Sequence, residues 1–199
     1  MLRLGGSPED SITFDADGSC VAGGGDGPFA PYYCSQVHPY TYGCLTPARW
    51  EAVLEFADAV GFKIAFGLNG CWGRPGASDP MDFSNARALM EATAASPHAR
   101  ALAYWELSNE VVPRTIAAAQ WVADALVLKG MSEAAFGAKG LPAPPVVGPD
   151  QAAGTAISEV VQALGGKGGQ LAAVVYHQYP RQFRRPRAPQ KTTSPQNKP

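Results

Sequence analysis

Glu106 and Glu110 stand four residues apart at the end of the apolar run 102–107, with Ser108 and Asn109 between them. Paired carboxyl groups do acid–base and nucleophilic work on glycosidic bonds, and their separation decides the outcome. Retention of configuration needs about 5–5.5 Å between them, inversion about 6.5–9.5 Å. On a chain that stays extended at about 3.3 Å per residue, these two share one face and lie about 13 Å apart. They are not expected to form the pair. Glu110, at the strand end, is the catalytic candidate. Glu106, mid-strand, is expected to point inward and to need a basic or hydrogen-bonding partner. The second carboxylate must then come from another strand.

Other apolar runs end in polar groups in the same way. Ser7 follows Leu2-Arg3-Leu4, Asn69 follows 62–68, Asp150 follows Val146-Val147, and His177 and Tyr179 follow 171–175. The connecting segments read as helices. Thr46 can cap the first, Pro47 suits its first position and Gly61 its end, with Trp50, Val53, Leu54 and Ala57 on one buried face. A second, near 84–95, buries Ala86, Leu89, Met90 and Thr93. A third runs from Thr115 to about Lys129, and a fourth covers about 154–164. Residues 17–46 read as a long loop rich in Gly, Pro, Tyr and Cys.

Strands alternating with helices predict an α/β fold with a parallel sheet. The carboxyl ends of such strands form the edge where sites lie in barrels and doubly wound sheets. Nucleotide binding is a poor reading. No G-x-G-x-x-G follows a strand, Gly23-Gly24-Gly25 lacks the Gly-Lys-Ser/Thr of a phosphate loop, and the glycines of 165–169 read as a turn.

The 199 residues are 46% apolar and 17% charged, which excludes disordered, collagenous and coiled-coil classes. No window approaches the roughly 20 apolar residues of a spanning helix. The net charge of −1 gives no global nucleic-acid signature. It conceals a split: residues 1–180 hold ten basic and seventeen acidic side chains, whereas 181–199 hold six basic, none acidic, and four prolines. That last stretch cannot build a core and reads as a disordered tail. It is either a solvated end or an arm for a polyanion. Cys20, Cys34, Cys44 and Cys71 form no C-x-x-C pair and lie far from the three histidines, so a structural zinc site is not expected. They allow one or two disulfides and an extracytoplasmic home, or buried free thiols. Met1 leads directly into Leu2-Arg3-Leu4, without a signal peptide.

Leu2 to Ser7 with Asp10, Gly43 to Thr46 with Arg49-Trp50, Phe66 to Asn69, and Asn85-Ala86-Arg87 with Leu89-Met90 resemble, in order, segments of the heparanase-like glycoside hydrolases of family 79. Trp105 to Glu110, Gly148-Pro149-Asp150 and Val174 to Tyr179 continue the series, with Ser108 where relatives usually carry Gly. The resemblance implies a (β/α)8 TIM barrel and retaining chemistry on uronic-acid-containing polysaccharide, without metal or organic cofactor. It implies Glu110 as general acid/base, Asn109 as the residue hydrogen-bonding the sugar beside the scissile bond, and Ser7, His177 and Tyr179 as substrate-binding. Gln178 departs from the usual second His. An apolar lining by Tyr104, Trp105 or Tyr179 would help raise the pKa of Glu110.

On this reading 1–180 is a partial barrel of strands two to six, followed by the tail 181–199. The nucleophile, a Glu of the seventh strand in relatives, has no counterpart here, so a fragment is expected. Full-length relatives imply a secreted, lysosomal, vacuolar or cell-surface setting. Two alternatives remain: a non-catalytic binder of anionic glycans, and another Asn-Glu barrel glycosidase with a different sugar.

Overall fold

The computed structural model describes residues 1–20, 43–151, 154–166 and 170–177. Four parallel strands form the main sheet: β1 (Leu2–Leu4), β4 (Ile64–Leu68), β5 (Leu102–Leu107) and β6 (Val146–Val147), side by side in that order. Between β1 and β4 come a 3-10 turn (Ser7–Ser11), β2 (Ile12–Phe14), β3 (Gly43–Leu45) and α1 (Pro47–Ala59). Helix α2 (Ser84–Ala95) links β4 to β5, α3 (Ala118–Gly137) links β5 to β6, and α4 (Gly154–Leu164) follows β6.

Alternation along each strand sorts the two faces of the sheet. Leu4, Phe66, Trp105 and Val146 align across all four strands and face the helices. Trp50 of α1 packs on Phe66 at 4.6 Å between ring centroids, and Phe66 meets Trp105 edge-on at 6.3 Å. The buried indoles are hydrogen-bonded, as buried polar groups must be. Trp50 donates to Thr93 Oγ1, Trp105 to Ser132 Oγ and Trp121 to the Leu107 carbonyl. The opposite face carries Arg3, Ala65 and Tyr104 in one row, then Gly67, Glu106 and Val147 in the next. That face holds the charged groups.

The signalled elements form where their local chemistry predicts. Thr46 Oγ1 accepts from the Arg49 N–H at 3.3 Å, Pro47 opens α1, and Gly61 stands beyond its end at φ +71°. Helix α2 spans 84–95, and α4 spans 154–164. Four expectations are corrected. Gly43–Leu45, assigned to the loop 17–46, is a strand. It pairs in parallel with β2, and the Cys20–Cys44 disulfide braces it. Cys71 is disulfide-bonded too, so none of Cys20, Cys44 and Cys71 is a free thiol.

The third helix starts three residues later than expected, because Thr115 and Ile116 turn back onto the Val111 carbonyl. It also continues to Gly137, since Met131, Ser132 and Phe136 extend its buried face past Gly130. The fourth strand begins at Ile64, leaving Phe62 exposed.

The strand expected over 171–175 does not form. Among the described residues, that segment runs beside the chain after β6 through hydrogen bonds from Val175 N–H to Gly148 O and from His177 N–H to Gln151 O, with an isolated bridge between Gln151 and Tyr176. Leu171 is buried, but 172–174 and Tyr176 are exposed, so the segment lacks the continuous apolar burial of a sheet strand.

Candidate active site

The carboxyl ends of β1, β4, β5 and β6 converge on one cluster, and Arg3 is its hub. Its Nε donates to Glu106 Oε2 at 2.5 Å. Its Nη2 donates to Asp150 Oδ2 and, at 3.2 Å, to Asn109 Oδ1, with Glu9 Oε2 at 3.8 Å. Glu106 thus has the basic partner its inward position demands. Gly67 lies between them, and a Cβ there would come within 2.0 Å of Glu9 Oε2. The missing side chain on β4 makes room for the cluster.

Below Arg3, Asp10 ties the strand ends together. Its Oδ1 accepts from the Gly70 N–H at 3.1 Å and its Oδ2 from the Asn109 N–H at 3.0 Å. Asn109 is buried and donates through Nδ2 to Ser7 Oγ at 3.1 Å. Beyond it, His177 reaches two carboxylates: Nδ1 lies 2.7 Å from Glu110 Oε1 and Nε2 2.8 Å from Asp150 Oδ1. A continuous chain therefore runs from Glu106 through Arg3, Asp150 and His177 to Glu110.

Burial and charge set the proton affinities here. Burial lifts the Asp10 carboxyl to about 7, against the pull of the two N–H donors and the charge of Arg74. Burial, reinforced by the charges of Asp10 and Glu106, holds Glu9 well above the usual carboxylate range. Burial also raises Glu106, although Arg3 opposes it. Burial works against a charged His177, yet the hydrogen bond to Glu110 and the charge of Asp150 raise it.

The backbone is strained where the strands end. Ser108, Glu110 and Asp150 lie in the left-handed region at φ +61°, +55° and +46°. Such conformations are costly for residues with a Cβ, and they cluster at functional sites. They also correct the spacing argument, because β5 does not continue extended to Glu110. The face alternation that put Glu106 and Glu110 in line ends at Leu107.

Of the candidate residues, Ser7, Asn109, Glu110 and His177 come together at this edge, and Tyr179 lies outside the described residues. Trp105 does not line it. It is fully buried under α3, on the opposite face from Glu106, as its adjacent position requires. Tyr104 shares the face of Arg3. Sequence reasoning missed Arg3 and the full role of Asp150. The available signal was a lone arginine between two leucines in a strand, facing away from them. Among the described residues no group of three or more His, Cys, Asp or Glu could hold a metal ion, and no helix is long and apolar enough to cross a membrane.

A parallel α/β sheet whose strand ends gather carboxylates, an amide and a histidine defines a protein with an acid-rich site at the carboxyl edge. The chain belongs to glycosyl hydrolase family 79: the model of that family's N-terminal domain matches residues 1–180. A search of curated proteins returns no match.

Proposed function

We propose that residues 1–180 carry the acid–base and sugar-binding half of a retaining glycoside hydrolase, heparanase-like in acting on uronic-acid-containing polysaccharide, with Glu110 as general acid/base. The observation that carries this reading is the pair Asn109-Glu110 at the end of β5. Asn109 is linked to Ser7 and Glu110 to His177, within a family whose members are glycoside hydrolases.

Glu110 gives its proton to the leaving oxygen as the glycosidic bond breaks and a second carboxylate bonds to the anomeric carbon. It then takes a proton from the water that hydrolyses the glycosyl-enzyme. Asn109 and Ser7 form the polar floor for the sugar, and the family resemblance adds Tyr179 as a substrate-binding residue. Glu9, Asp10, Glu106 and Asp150 are all buried and engaged by Arg3 or by backbone N–H groups. None of them suits the attacking role. No acidic residue follows Glu159 in the sequence. The nucleophile is therefore assigned outside residues 1–180, and the four-stranded sheet to strands two to five of a (β/α)8 barrel, with 171–177 in the place of the sixth. The Cys20–Cys44 disulfide supports a secreted, lysosomal, vacuolar or cell-surface setting.

The test is release of a fluorophore from its β-glucuronide by the full chain and by Glu110→Gln. The reading expects none from either. Turnover lost in Glu110→Gln would bring the nucleophile within this chain, and turnover indifferent to that change would remove Glu110 from its role. The six basic residues of 181–199 favour a second reading, a non-catalytic binder of anionic glycans. Salt-sensitive heparin retention that disappears on deleting 181–199 is its mark.

A further inference from the structure

We infer that His177 and Asp150 form a positioning dyad for Glu110, so that His177 acts through the carboxyl group and not on the sugar. The inference rests on the reading of Glu110 as the acid/base. Three chain segments meet here, and their backbones are already tied. The Glu110 N–H donates to the Asp150 carbonyl at 3.1 Å, and the His177 N–H donates to the Gln151 carbonyl at 2.9 Å.

The side chains complete the link. Asp150, 1% exposed, is gripped through Oδ2 by Arg3 and turns Oδ1 to His177 Nε2 at 2.8 Å. With Nε2 donating to that carboxylate, the ring is fixed and Nδ1 faces Glu110 Oε1 at 2.7 Å. The Glu110 side chain is 30% exposed at the end of a strained turn, and an unsupported carboxyl there would sample several rotamers. The imidazole selects one of them.

The dyad also defines where a proton resides. With Asp150 ionised, one proton serves the line between Nδ1 and Oε1. It lies either on Glu110, donating to a neutral imidazole, or on Nδ1, donating to a carboxylate. The two forms carry the same number of protons, so His177 holds or returns a proton without exchange with solvent. The charged groups facing His177 are Glu110 and Asp150 in contact, with Arg3 and Glu106 behind Asp150. The three carboxylates outnumber the one guanidinium, which favours a protonated ring.

The test is an NMR titration of the histidine rings in the full chain, with the His177 signal assigned by its loss in His177→Asn. In the wild type the His177 midpoint is expected above 6.5, the ordinary histidine value. Glu110→Gln and Asp150→Asn should each lower it by about one pH unit, as removal of one adjacent opposite charge does. His98, paired with Asp58 at 2.9 Å, is the internal control and should not move. Should Asp150→Asn fail to fold, the partly exposed Glu110→Gln decides alone. A His177 midpoint unchanged by Glu110→Gln, with His98 intact, would overturn the dyad. The titration requires no turnover, so it stands or falls separately from the hydrolase reading.

Discussion

Arg3 on β1 and Glu106 on β5 bond to each other at 2.5 Å although β4 lies between their strands. Gly67, beside Glu106 on β4, leaves that position without a side chain, and the Glu9 carboxylate fills the space, 3.8 Å from Arg3. One guanidinium serves Glu106, Asp150 and Asn109 at once, which its planar fork of donors permits and an ammonium does not.

Arg3→Met should therefore destabilise the fold by about 3 kcal/mol, the low end of the range for breaking a buried ion pair, since Arg3 is itself partly exposed. Arg3→Lys should recover only part of that loss. Urea unfolding of the three chains checks this. Equal stability of Arg3→Met and the wild type would show that Glu106 and Asp150 do not depend on the guanidinium.

Ser108 occupies a left-handed conformation at φ +61°, with its hydroxyl over Gly70, where a Cβ would come within 1.8 Å. Ser108→Gly should raise stability by about 1 kcal/mol by relieving that conformation. A destabilised variant would mean that the hydroxyl's packing and its hydrogen bond to Asp10 outweigh the backbone strain.

Asp10 and Glu9 both hold protons more tightly in the folded chain, Asp10 with a pKa of about 7. For a carboxyl group raised on folding, the stabilising contribution is fully present below its unfolded pKa, near 4, and is lost as pH rises through the folded value. The urea midpoint should accordingly fall between pH 5 and pH 8. Glu9→Gln, which keeps the acceptor for the Gly6 N–H but carries no charge, should shrink that fall. Identical pH profiles for the two chains would contradict the assignment.

Local signals carried much of the architecture. Thr46, Pro47 and Gly61 bracket α1 because capping and φ preferences act within a few residues. Asn109-Glu110 stood out because polar residues ending an apolar run mark the carboxyl edge of a parallel strand. Trp105 was also decidable, since adjacent residues of a strand face opposite sides.

The rest depends on relations between distant segments. Paired strands of three residues, such as β2 and β3, are too short for periodicity to declare. The left-handed turn at Ser108 and Glu110 broke an argument that assumed an extended chain. The route from Glu106 to Glu110 through Arg3, Asp150 and His177 needs the register of β1, β5 and β6 together with the segment beyond α4. No single stretch of sequence contains it.

On the proposed function, a uronic-acid-containing glycan binds at the carboxyl edge around Asn109 and Glu110. The most direct measurement is an NMR titration of the full chain's backbone amides with a short uronic-acid-containing oligosaccharide. Saturable shifts are expected at Ser7, Asn109, Glu110 and His177. Shifts confined to residues 181–199, or no saturable shift at the strand ends, would contradict it.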